Sequence, residues 1–101
     1  PPAQNLQLQG LVLDTQAHSV TANDQRITLT FKEFELLRLL MSHPNKAFTR
    51  EELLMQVWET DFVGESRTVD MHIRTLRQKL GDYGNCIETV RGVGYLMGDK
   101  R

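Results

Sequence analysis

The chain has 101 residues, 40% of them hydrophobic and 25% charged, with a formal net charge of −1. That is enough for one modest core, too apolar for a disordered segment, and without the run of roughly 18 apolar residues that a membrane span needs. The single cysteine, Cys86, cannot close an internal disulfide and no signal-peptide pattern opens the chain, so a reduced, cytoplasmic location is expected.

The opening PPAQN, residues 1–5, has the composition of a linker, which suggests the downstream piece of something longer. A single domain is expected over residues 6–98, with 99–101 as a tail. From Leu6 to Leu29 apolar residues recur two apart: Leu6 and Leu8, Leu11 and Leu13, Val20 and Ala22, Ile27 and Leu29. This is the period of half-buried strands, and Gly10, TQAHS and AND supply the turns between them. Four short antiparallel strands with one apolar face are expected.

The period then becomes helical. Phe31, Phe34, Leu37 and Met41 form a stripe that Leu36, Leu39 and Leu40 widen. Thr30 is placed as the N-cap, Glu33 completes a capping box, Leu29 and Phe34 form a hydrophobic staple, and Pro44 ends the helix. The same device recurs in FTREELLMQVW, where Thr49 caps, Glu52 closes the box and Phe48 staples to Leu53. Leu53, Leu54, Val57 and Trp58 are the buried stripe of that second helix.

An acidic loop follows, and then RTVDMHIRTLRQKL. In this third helix, with Ser66 as its cap, Val69, Ile73, Leu76 and Leu80 fall within one narrow arc. Gly81 terminates it. CIETVRGVGYLM then reads as two strands around a tight turn. The fold class is α+β: a four-stranded antiparallel sheet, three helices and a C-terminal β-hairpin.

Charge is unevenly spread: residues 66–80 carry a net +3, whereas residues 30–65 carry −3. Opposite the buried arc lie Arg67, Met71, Arg74 and Gln78, with Thr68 and Thr75 on one flank and Asp70 and Arg77 on the other. His72 and Lys79 stand closer to the buried edge. Arg can bond guanine bidentately, Thr and Gln can donate or accept, and Met can touch a thymine methyl. Taken alone, such a face is more often a solvated surface. Helix, loop, basic helix and a hairpin with Arg91 at its tip, however, describe a winged helix-turn-helix, in which the second helix of the pair enters the major groove and the wing the neighbouring minor groove.

RTVDMHIRTLRQKL followed by IETVRGVGYLM, with LTFKEFELLRLLMSHPNKAFTREELLMQVW upstream, resembles the OmpR/PhoB-type winged-helix effector domain of bacterial two-component response regulators, over essentially residues 6–97. The resemblance implies an N-terminal phosphorylatable receiver domain, a sensor kinase acting on it, and binding to direct-repeat DNA half-sites as a head-to-tail dimer. It also implies that the loop Glu59, Thr60, Asp61, Phe62, Val63, Gly64 and Glu65 contacts the transcription machinery, RNA polymerase. This loop is longer than the three or four residues of a simple helix-turn-helix. By position, Arg67, Thr68, His72, Arg74 and Arg77 match backbone or base contacts. Arg91 matches the wing arginine, and Trp58 a tryptophan near a phosphate. No cofactor is implied. Two residues depart from the pattern: Thr75 stands where a second basic residue is common, and Glu59 where glycine is frequent.

Other readings have less behind them. Gly92 and Gly94 lack a Walker lysine or a dinucleotide fingerprint, and so are assigned to the wing turn. His18, His43 and His72 lie in different elements without a cysteine pair, so no metal site is expected. No spacing brings Asp14, Asp61 or Glu88 together as an enzyme would need. The serious rival is a winged helix that docks a partner protein, which steep salt dependence of duplex binding would discriminate against.

Overall fold

The alternating N-terminal third forms a four-stranded antiparallel meander in the computed structural model. The structure describes residues 5–8, 10–58 and 66–98, the side chains of Asn5, Ser66 and Arg67 excepted. The strands are β1 (Asn5–Leu8), β2 (Leu11–Asp14), β3 (Ser19–Ala22) and β4 (Gln25–Ile27), in the order β1-β2-β3-β4. Leu6, Leu13, Val20 and Ile27 are cross-strand partners in one row spanning the whole sheet. Cross-strand rows of this kind set the register, because a slip by one residue would turn the apolar set to solvent. Asn23 and Asp24 both have positive φ, as a two-residue hairpin of type I′ requires. The Asp14 carboxylate accepts the backbone N–H groups of Gln16 and Ala17, which shapes the β2–β3 turn. β1 begins at Asn5, inside the stretch expected as linker, and β4 stops at Ile27, so Leu29 lies outside the strand.

The helix α1 (Phe31–Ser42) has its capping box in full: the Thr30 hydroxyl accepts from the Glu33 N–H, and the Glu33 carboxylate accepts from the Thr30 N–H. Phe34, Leu36, Leu37, Leu40 and Met41 are buried. Phe31 is not: it is 63% exposed and stacks on His18, with ring centroids 5.2 Å apart. As the first residue of the helix it has no preceding turn to pack over, so the phase that placed it in the stripe stops short of it.

Phe48–Thr49 forms a two-residue strand, β5, that the sequence pattern does not signal. The next helix, α2 (Arg50–Leu53), carries the second capping box and runs on with π-helical winding over Leu54–Trp58. The third, α3 (Ser66–Leu80), buries Val69, Ile73, Leu76 and Leu80 as a seam. Gly81 (φ +62°) ends it, as expected of a left-handed C-terminal glycine. The chain continues as a 3-10 segment, Gly81–Cys86, so Cys86 is buried at the end of that segment rather than in a strand. β6 (Ile87–Val90) and β7 (Gly94–Met97) make the hairpin, and β5 adds to its far edge in the order β5-β7-β6. A Cβ at Gly94 would strike the Phe48 carbonyl oxygen, so this close strand approach admits only glycine.

Ser66, expected as the cap of α3, is its first helical residue, with its side chain not described; the transcription-machinery loop Glu59–Glu65 and the tail 99–101 lie outside the described residues. Among the described residues, no helix is long and apolar enough to cross a membrane.

Candidate nucleic-acid interface

The α3 seam faces the core, so the opposite strip of the helix is left to solvent. Met71 is 63% exposed, and Arg74 and Gln78 are exposed on successive turns of that strip. Neither Arg74 nor Gln78 makes a hydrogen bond or ion pair among the described residues, so both present unused polar groups. The Arg67 side chain lies outside the described residues.

Beyond α3, Arg91 is exposed at the wing tip. There the Val93 N–H donates to the Val90 carbonyl at 2.9 Å, and Gly92 takes φ +76° at the third position of the turn, the place glycine fills in type II turns. The glycine assignment to the wing turn thus splits in two: Gly92 makes the turn, and Gly94 makes the strand approach.

On the other flank of α3, His72 and Trp58 meet edge to face, with ring centroids 4.9 Å apart. His72 Nδ1 is 2.8 Å from the Thr68 carbonyl oxygen, which can only accept, so Nδ1 carries the proton. Nε2 makes no hydrogen bond among the described residues. Lys32, which the sequence reading did not single out, donates to the Val57 carbonyl at 2.9 Å, and its ammonium stands 5.6 Å from the Trp58 ring centroid. It adds a cation beside the half-buried indole.

Two cations of α3 are engaged within the fold. Arg77 was placed on the outer flank as a phosphate contact. Its Nε and Nη2 donate to the Ile87 carbonyl at 3.1 and 2.7 Å, and Nη2 also donates to the Thr89 hydroxyl at 2.9 Å. The guanidinium thus bolts α3 to β6, packed 5.5 Å from the Tyr95 ring centroid. Lys79 forms an ion pair with Glu33 at 2.7 Å. Thr75, expected near the bases, donates its hydroxyl to Glu33 at 2.6 Å. Of the four cations that make this helix basic, Arg77 and Lys79 are engaged by groups of the fold.

Two carboxylates anchor this inner belt. Burial would raise the Glu33 pKa, but hydrogen bonds from Lys79, Thr75 and the Thr30 N–H outweigh it and hold the carboxyl at about 2. Asp70 receives the Tyr95 hydroxyl at 2.6 Å and Arg50 Nε at 2.7 Å, both on Oδ1. Burial again opposes ionisation, and these two donors override it, so Asp70 also lies below the usual carboxylate range. Glu33, Arg50 and Tyr95 were not foreseen as part of this arrangement. Only Glu33 had a sequence signal, its capping box, and that signal is purely local.

Among the described residues, no group of three or more His, Cys, Asp or Glu could hold a metal ion. The arrangement is a docking surface: an exposed Arg/Gln/Met strip, a flank of Trp58, His72 and Lys32, and a projecting cation on the wing.

Known proteins share both sequence and fold. The family described as "Transcriptional regulatory protein, C terminal" matches residues 24–97. Transcriptional regulatory protein SrrA of Staphylococcus aureus is 46% identical over 94 residues, which are 89% of this chain and 39% of SrrA. The chain therefore spans about two fifths of the length of this relative. The solved DNA-binding domain of Klebsiella pneumoniae RstA in complex with RstA box superposes with a TM-score of 0.88 at 28% identity, over 96% of this chain and 99% of that one. DrrB of Thermotoga maritima, described as an OmpR/PhoB homolog, superposes with a TM-score of 0.83 at 34% identity, over 93% of this chain and 44% of that one.

Proposed function

The chain belongs to the C-terminal, DNA-binding and transcription-regulating domains of response regulators of the OmpR/PhoB type, and from that premise we propose how its surface meets DNA. α3 lies in the major groove, where Arg74, Gln78 and Met71 face base edges. Arg67, Thr68, His72 and Trp58 flank the phosphates of one strand, with Lys32 beside them. Arg91 enters the adjacent minor groove. The observation that carries this reading is the strip of exposed side chains opposite the buried seam of α3, where Arg74 and Gln78 make no bond among the described residues. A helix so bound by its apolar side can offer only that strip to a ligand.

The assembly follows from the same reading. Two copies bind direct-repeat half-sites head to tail. An N-terminal receiver domain, phosphorylated by a sensor kinase, precedes this domain in the full-length protein. The loop Glu59–Glu65 meets RNA polymerase. The protein works in the cytoplasm.

The test is duplex binding across a salt series. With Z phosphates neutralised, log K falls against log salt with a slope of about −0.9Z. The expected slope is steep and diminishes when Arg67 or Lys32, the cations placed beside the phosphates, is replaced by alanine. A flat salt response on repeated half-sites, or no binding at low salt, would favour a winged helix that docks a protein instead.

A further inference from the structure

One carboxylate fastens α1 to α3. Glu33 is 3% exposed; its Oε1 accepts from the Thr30 N–H at 2.9 Å and from Lys79 Nζ at 2.7 Å, and its Oε2 from the Thr75 hydroxyl at 2.6 Å. Residues 75 and 79 stand one turn apart on the same face of α3. A single rigid group therefore holds two consecutive turns, which constrains both the rotation of α3 about its axis and its slide along α1. The capping box constrains Glu33 in turn, since its carboxylate is tied to the start of α1. Each residue of a helix advances by about 100°, so a small rotation of α3 would move Met71, Arg74 and Gln78 together relative to a groove.

Thr75 itself is on the exposed surface, where a base contact would be expected. Yet its hydroxyl has one proton, which faces Glu33 Oε2 at 2.6 Å and the His72 carbonyl at 3.1 Å, so none is left to donate to a base. Leaving a partner as strong as a buried carboxylate for a base edge would forfeit a charge-assisted hydrogen bond.

We propose that Glu33 and Thr75 are positioning residues for base recognition: position 75 reads no base, and its bond to Glu33 sets the angle at which Met71, Arg74 and Gln78 meet the groove. This rests on the placement of α3 in the major groove. It gives Thr75, which the family resemblance places where a second basic residue is common, a role within the fold. It also makes the base preference of the domain depend on a residue of α1 that touches no DNA. An arginine at position 75 would arise beside Glu33 and be captured by it, so gaining that cation alone adds no guanine contact.

Selection of bound duplexes from a random pool, run on the whole chain and on its variants, tests this. Thr75→Ser keeps the hydroxyl and is expected to reproduce the wild-type preferences. Thr75→Val keeps the shape and loses the bond. It is expected to flatten preference across all base pairs under α3 together and to weaken the selected site about tenfold, with non-specific affinity unchanged. Thr75→Arg is expected to add no new guanine preference until it is combined with Glu33→Gln. Loss of preference at one base pair in Thr75→Val, with the others sharp, would show that Thr75 reads a base and overturn the proposal. Unchanged preferences in Thr75→Val, with only a lower melting temperature, would reduce the bond to a structural tie and overturn it equally. Both results would leave the groove placement standing. Failure of the wild-type chain to select any duplex would overturn both.

Discussion

Arg74 and Arg77 lie three residues apart on one helix and carry the same charge, but the fold treats them in opposite ways. Arg74 is exposed and makes no bond among the described residues, whereas Arg77 spends Nε and Nη2 on the Ile87 carbonyl and the Thr89 hydroxyl. The same division separates Arg91 on the wing from Lys79 at the end of α3. A count of basic residues therefore overstates what α3 offers to a polyanion. Lys79 and Arg77 hold the helix against α1 and the wing, whereas Arg74 and Arg91 make no bond among the described residues and can bind. Braced charges should show themselves first in stability, and free charges in affinity alone.

The largest expected effect falls on the brace itself. Glu33→Ala leaves Lys79, Thr75 and the Thr30 N–H without their acceptor and should cost on the order of 3 kcal/mol in urea unfolding. Glu52→Ala removes the matching carboxylate from the other capping box, which is exposed and has only its local partner among the described residues, and should cost about 0.5–1 kcal/mol. Equal costs would mean that the partners of Glu33 on α3 add nothing.

Acid should unpick the same brace. The Glu33 carboxyl is held at about 2 against an ordinary 4.5, so the folded protein binds fewer protons than the unfolded chain between those values. Stability from this group is complete above pH 4.5 and is lost as the pH falls toward 2, by on the order of 3 kcal/mol. Urea midpoints measured from pH 6 to pH 2.5 should fall less steeply in Glu33→Gln than in the wild type. Parallel curves would place the acid sensitivity elsewhere.

Arg77→Ala comes next, with about 1–2 kcal/mol of stability lost in the DNA-free domain because α3 loses its tie to β6. If Arg77 only touched phosphate, the free domain would be unaffected. Arg74→Ala should leave the unfolding midpoint within about 0.5 kcal/mol while weakening a selected duplex tenfold or more. The smallest effect is expected at Arg91, whose replacement by alanine should cost a few-fold in affinity, most where the flanking sequence is A/T-rich. Fluorescence anisotropy on A/T and G/C flanks measures this, and equal losses would remove Arg91 from the minor groove.

Both capping boxes, the α3 seam and the alternating strands were legible along the chain because each is a local pattern. A cap needs a hydroxyl and a carboxylate three residues apart, a strand needs a period of two, and a buried helix face needs a period near 3.6. The exceptions are instructive. Phe31 matched the period yet lies outside the core because it is the first residue of its helix. β5 is two residues long and exists only because Phe48 and Thr49 lie beside Tyr95 and Gly94. No periodicity can be seen in so short a stretch.

The sequence by itself determined the order of elements, the buried side of each, the turn glycine of the wing and the kind of surface α3 presents, since these depend on neighbours within a few positions. Only the tertiary structure decided which charges were free. Glu33 meets residues 42 and 46 positions away, and Arg50 meets Asp70 and thereby the Tyr95 hydroxyl. Ion pairs and hydrogen bonds act over about 3 Å in space whatever the separation along the chain, so helical phase can say which way Arg77 or Thr75 points but not what is waiting there.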